Sequence, residues 1–96
     1  MYNNVYEKSG SELIRELGKK FSAYRKRMGY TQKDISNKSG LSVFTISSFE
    51  NGSSTGITVT SFIKLLRAIN FLEEFEKLLP TLPESPRDLY KKQNKN

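Results

Sequence analysis

The stretch TQKDISNKSGLSVFTISSFENG, residues 31–52, decides how this chain folds. Thr31 reads as a helix N-cap with Asp34 three residues on, a weaker form of the capping box, and it opens a short helix over 32–38 with Ile35 turned inward. Ser39-Gly40 breaks that helix. Ser42 caps the next one, over 43–50, in which Ile46 and Phe49 stand three apart on one face, and Asn51-Gly52 ends it. The connection between the two helices needs a residue comfortable at positive φ, and Gly40 supplies it without a Cβ clash.

Upstream, Leu13, Leu17, Phe21, Tyr24 and Met28 recur at the spacing of one helical face, which predicts a helix over 12–28. Ser11 is its candidate N-cap and Gly29 its left-handed C-cap. Basic residues from Lys19 to Arg27 crowd its C-terminal half, where the helix dipole favours them. Downstream, residues 53–56 are Ser, Thr and Gly and read as a loop. Either Thr58 or Thr60 caps a fourth helix with the stripe Phe62, Leu65, Leu66 and Ile69, which Asn70 interrupts. Phe71, Leu72, Phe75, Leu78 and Leu79 predict a fifth helix stopped by Pro80, and an apolar surface that wide needs covering on two sides. Ser85-Pro86 opens one more short turn through Leu89 and Tyr90. There are no internal repeats. The expected organisation is an N-terminal arm over 1–10, one domain over 11–80 and a proline-containing basic tail over 81–96.

Ninety-six residues make room for one small domain. With no Cys and no His, the chain has no disulfide framework or thiolate metal site, and it lacks the commonest general base and metal ligand. No metal and no cofactor are expected. An enzyme is discounted too, since there is no glycine-rich phosphate loop and Glu73, Glu74 and Glu76 form a solvated run on the fifth helix. Mean hydropathy is −0.60 and no apolar run approaches the ~20 residues of a membrane span, so a soluble chain is expected. Residues 1–10 carry no signal-peptide pattern, which makes the cytoplasm the expected address.

The net charge of +6 favours a polyanionic partner. Residues 1–38 hold nine basic and four acidic residues, a net +5; residues 39–86 hold three and five, a net −2; the stretch from Arg87 on adds +3. A solvated face is the plainer account of such runs. A membrane-surface role is disfavoured because the core needs the apolar face of the first helix.

Two short helices joined by Ser39-Gly40-Leu41-Ser42, the second rich in small polar residues, describe a helix-turn-helix whose second helix fits a DNA major groove. Tyr30-Thr31-Gln32-Lys33-Asp34-Ile35-Ser36, then Ser39-Gly40-Leu41-Ser42 and Thr45-Ile46-Ser47, closed by Phe49-Glu50-Asn51-Gly52, resembles the Cro/C1-type family. This is the lambda-repressor-like, or XRE, family of transcriptional regulators, and the likeness covers about residues 13–79. It implies an all-α, five-helix DNA-binding domain. Gln32 then corresponds to the family's phosphate-binding glutamine, and Arg25 and Glu50 to a partly buried ion pair that holds the first helix against the recognition helix. Asn51 and residues 52–55 correspond to a loop along the phosphate backbone, although a simple helix cap also accounts for Asn51-Gly52.

Carried over in the same way, the base-contacting positions are Ser42, Val43, Phe44, Ser47 and Ser48. Lys33, Lys38, Thr45 and Ser53 join Gln32 and Asn51 at phosphates, with Thr45 at the boundary, while Ile46 and Phe49 turn into the core. Lys26, Arg27, Lys33 and Lys38 serve either general phosphate attraction or solubility, and Lys33 and Lys38, nearest the proposed DNA edge, are the favoured pair for phosphates. Val43 and Phe44 depart from the family's habit of Gln, Arg, Asn or Lys at the first groove positions. Contact with thymine methyl groups is their available direct readout, the other account of Phe44 being packing on a protein neighbour.

The resemblance implies a bacterial or phage-encoded regulator, acting as a repressor, that binds double-stranded DNA as a homodimer on a palindromic operator. Leu72, Phe75, Leu78 and Leu79 are the candidate dimer surface because they exceed what a four-helix core hides. Leu78-Leu79-Pro80 followed by Ser85-Pro86-Arg87-Asp88-Leu89 is also similar to the HipB-like antitoxins encoded beside HipA-type kinase toxins. On that alternative the partners are operator DNA and a kinase-like toxin.

Overall fold

The computed structural model describes residues 4–87. A 3-10 turn at Val5–Glu7 leads into α1 (Gly10–Arg27), α2 (Gln32–Ser39), α3 (Val43–Asn51), α4 (Val59–Ala68) and α5 (Leu72–Glu76), and no strand occurs among the described residues. α1 packs on α3, α2 on both α3 and α4, and α5 on α4.

Local chemistry sets most of these boundaries. α1 starts earlier than expected: Ser9, and not Ser11, is the N-cap, its hydroxyl accepting from the Glu12 N–H at 3.1 Å. At the other end Gly29 (φ 80°) lets Tyr30 N–H reach the Arg25 carbonyl and Gly29 N–H reach that of Lys26, a Schellman closure. α2 carries a complete capping box, Thr31 Oγ1 accepting from Asp34 N–H at 3.0 Å and Asp34 Oδ2 from Thr31 N–H at 2.8 Å. Of the two candidate caps for α4, Thr58 is used, accepting from Ser61 N–H at 3.0 Å. Asn70, at φ 61°, closes α4 in the left-handed region that asparagine tolerates.

α5 is shorter than the apolar pattern predicts. It ends at Glu76, and Lys77 and Leu78 form i→i−3 hydrogen bonds to Glu74 and Phe75, so Leu78 and Leu79 lie beyond the helix. The residue before a proline avoids helical geometry, which stops α5 from running on to Pro80. Pro86 and Arg87 are helical; Leu89 and Tyr90, expected in the same turn, lie outside the described residues.

The core gathers Phe21, Ile35, Ile46, Phe49, Leu65, Ala68 and Ile69, with Phe49 between Phe21 (ring centroids 5.9 Å apart) and Phe62 (6.2 Å). On α1 the buried face is rotated from the expected stripe. Leu13, Tyr24 and Met28 are each more than a third exposed, whereas Gly18 and Arg25 are buried and Ile14 and Leu17 pack against the core. Gly18 sets this rotation: a Cβ there would overlap the carbonyl group of Phe49, so only glycine lets α1 lie this close to α3.

Gly18→Ala should therefore lower stability by about 2–3 kcal/mol or more, because the obstructing atoms belong to backbone that has no rotamer to escape into. Gly10→Ala, where a Cβ meets nothing within 4 Å, should leave stability level or slightly higher. Urea unfolding of both variants checks the pair of outcomes.

Candidate nucleic-acid interface

The turn between α2 and α3 is held by serine hydroxyls around a left-handed glycine. Gly40 sits at φ 78° with its N–H on the Ser36 carbonyl; Ser36 Oγ donates to the Leu41 carbonyl at 2.6 Å, and Ser39 Oγ accepts from Leu41 N–H at 3.1 Å. With its backbone satisfied locally, this turn fixes the direction in which α3 leaves it.

α3 is anchored from within by Ile46 and Phe49. Its outer surface carries Phe44, 79% exposed, with Val43 at the margin of exposure, Ser47 half-buried and Asn51 exposed. Residues 44, 47 and 51 fall at i, i+3 and i+7, one continuous helical face. Ser48, expected among the base-contacting residues, is instead buried at 8% exposure. The segment after α3 folds back over that flank, Ser54 N–H donating to the Ser48 carbonyl at 3.2 Å. Between this segment and α3 lies an open cleft of about 390 Å³ with Phe44 at its edge and Ser53 and Ile57 among its lining.

Beneath this surface lies a charged cluster. Arg25 Nε donates to Glu50 Oε2 at 2.7 Å and Nη2 to Oε1 at 2.8 Å, while Nη1 donates to the Tyr30 carbonyl at 2.8 Å. Both side chains are almost fully buried, 8% and 5% exposed. Burial by itself would raise the Glu50 carboxyl, but hydrogen bonds from Arg25, Gln32 and Ser22 and the Arg25 charge outweigh it and hold the group below its usual value of 4.5.

Gln32 belongs to this cluster, Nε2 donating to Glu50 Oε1 at 3.1 Å. One of its two amide N–H groups is thereby engaged, leaving the other for an anion. Ser42 is similarly occupied: its hydroxyl accepts from Thr45 N–H at 3.0 Å and donates to Thr45 Oγ1 at 2.9 Å. Asn51 Oδ1 accepts from Ser53 N–H at 2.8 Å, shaping the start of the loop. Lys38 stands over the Tyr30 ring, 4.8 Å from its centre, and Lys33 is exposed on α2. Ser22, Tyr30, Gly18 and Arg15, whose stem lies against Gly52, are participants that sequence reasoning passed over. Only Gly18 carried a signal, as a glycine inside a long helix.

A small helical core that displays one short, capped helix after a glycine turn is a helix-turn-helix DNA-binding module. The family model described as helix-turn-helix (HTH_3) matches residues 21–76, more than half of the chain. The chain belongs to this family, the Cro/C1 or XRE type with the lambda-repressor-like fold, and is a DNA-binding transcriptional regulator. No curated protein and no solved structure matches it. Among the described residues no helix is long and apolar enough to cross a membrane.

Because the Glu50 carboxyl is held low, its contribution to stability is complete above 4.5 and is lost as pH falls through its lower native value. Glu50→Gln should lose about 3 kcal/mol at neutral pH by leaving Arg25 buried without a counter-charge, and its stability should decline less steeply between about pH 5 and pH 3. Urea midpoints of both proteins across that range read the difference.

Proposed function

We propose that the chain is a sequence-specific repressor that binds a palindromic duplex operator as a homodimer, with α3 of each subunit in successive major grooves about 34 Å apart. The observation that carries this reading is the outer face of α3, with Phe44 79% exposed on a helix whose opposite side is anchored in the core. Phe44 and Val43 read thymine methyl groups, and Ser47 adds a hydrogen bond at short reach. Ser42, bound up in its cap, adds little. Gln32, Lys33, Lys38, Thr45, Asn51 and Ser53 fix the register on phosphates.

The dimer surface is the stretch from α5 onward. Leu72 and Phe75 are half-buried within one subunit, while Leu78 and Leu79 are 62% and 82% exposed and Leu82, just beyond, is 83% exposed. Such clustered apolar side chains favour coverage by another protein surface. The same leucines support a second reading, in which the chain is the antitoxin of a HipA-type pair and a kinase-like toxin covers them. Light scattering separates the two: the homodimer reading requires twice the chain mass at micromolar concentration and a monomer for Leu79→Glu, whereas a wild-type monomer gives that surface to a different protein.

For DNA, protection of a palindrome in duplex fragments from upstream of its own coding sequence is expected, with affinity falling steeply as salt rises. Replacing the contacted thymines with uracil removes only the methyl groups and should weaken binding by about 1 kcal/mol per contact, roughly fivefold. Phe44→Ala should bind more weakly and respond much less to the uracil replacement, with its stability nearly unchanged. An equal response to uracil in both proteins would remove Phe44 from base readout.

A further inference from the structure

We propose that Arg15, with Lys19 beside it, is an additional grip on the DNA backbone, taking a phosphodiester next to those reached by Asn51 and Ser53. This rests on the placement of the α3–α4 loop along the phosphates in the reading above. Arg15 lies in the part of α1 that precedes the family match at residues 21–76.

Its position is fixed by two glycines. Gly18 brings α1 against the Phe49 carbonyl, so the preceding turn of α1 runs past the C-terminal end of α3. There the Arg15 stem lies over Gly52, its Cγ and Cδ only 3.0 and 3.3 Å from where a Cβ on that residue would be. Gly52 is the left-handed residue between Asn51 and Ser53. The methylenes of Arg15 are thus laid on the loop itself, while the residue as a whole stays exposed. A stem already packed loses less side-chain freedom when its fork engages an anion.

The surrounding charge agrees. Positions 15, 19, 22 and 26 share one face of α1, and Arg15, Lys19 and Lys26 on it are exposed. Ser22 on the same face hydrogen-bonds Glu50, the neighbour of Asn51, which sets this face beside the end of α3. Among the described residues no carboxylate forms a salt bridge with Arg15 or Lys19; Glu16, the nearest acid in the chain to both, is taken by Lys8 at 2.9 Å. The result is an uncompensated guanidinium rooted on the α3–α4 loop, a geometry that suits the planar fork of arginine to a phosphate.

The test is the salt dependence of the full chain on a fluorescent duplex of mixed sequence, about three helical turns long, titrated at several sodium chloride concentrations. Arg15→Gln keeps the carbons that lie over Gly52 and removes the charge, and Arg67→Gln removes one charge from the far end of α4. The slope of log K against log salt should become shallower by about 0.9 per bound subunit for Arg15→Gln, with its urea midpoint unchanged, and should stay at the wild-type value for Arg67→Gln. Arg15→Lys should retain the wild-type slope. An unchanged slope for Arg15→Gln overturns the proposal, as does an equal reduction in both glutamine variants, which would show net charge acting without a local contact. A wild-type chain that binds no duplex under any salt condition overturns the DNA-interface reading as well, and so marks which of the two has failed.

Discussion

The presentation of α3 depends on one guanidinium. Arg25 leaves α1 and reaches three places at once, both oxygens of Glu50 at the end of α3 and the carbonyl of Tyr30 just before α2. Gln32 and Ser22 complete the Glu50 shell, so the end of α1, the start of α2 and the end of α3 meet on one carboxylate. A buried ion pair of this kind adds little net stability over a well-packed apolar alternative, because desolvation offsets most of the attraction. What it adds is geometry: a planar fork on a planar carboxylate tolerates little rotation, and the angle between α1 and α3 is set by it together with the close approach at Gly18.

The features legible in the sequence were those written in local chemistry. Thr31 and Asp34, Gly40, Ser42 and the Asn51-Gly52 pair each act within four residues of themselves, and each is found in the structure doing the local task its type suggests. The observed start of α1 also has a local signal, since Ser9 and Glu12 stand at capping-box spacing, although Ser11 lies closer to the first leucine.

The rest was not legible because it is made by residues distant in the chain. The apolar stripe through Leu13, Tyr24 and Met28 counts hydrophobic side chains, whereas the face that α1 buries is defined by a glycine and an arginine, neither of which weighs in such a count. Ser48 occupies a flank of α3 that is open on a helical wheel and is closed only by the return of Ser54. The hydrogen bond from Gln32 to Glu50 likewise joins two residues whose proximity no spacing rule foretells.

The way hydroxyls and amides are used has a consequence for readout. Ser42 and Thr45 bond each other at the cap, Asn51 shapes the loop, Gln32 gives one N–H to Glu50 and Ser48 is buried, so few polar atoms on α3 remain free to interrogate a base. Hydrogen-bonded discrimination requires such atoms, and the methyl contact proposed for Phe44 and Val43 would separate base pairs by less. On the proposed reading, affinity comes largely from phosphate contacts and net charge, with sequence-dependent DNA shape contributing to selection. The distribution of charge fits that division: residues 1–38 carry a net +5 and residues 39–86 a net −2, and the acidic Glu73, Glu74 and Glu76 lie on α5, which packs on α4 away from the turn between α2 and α3. The positive charge carried by α1 and α2 attracts a polyanion before contact is made, so that the field supplies the encounter and side chains the final register.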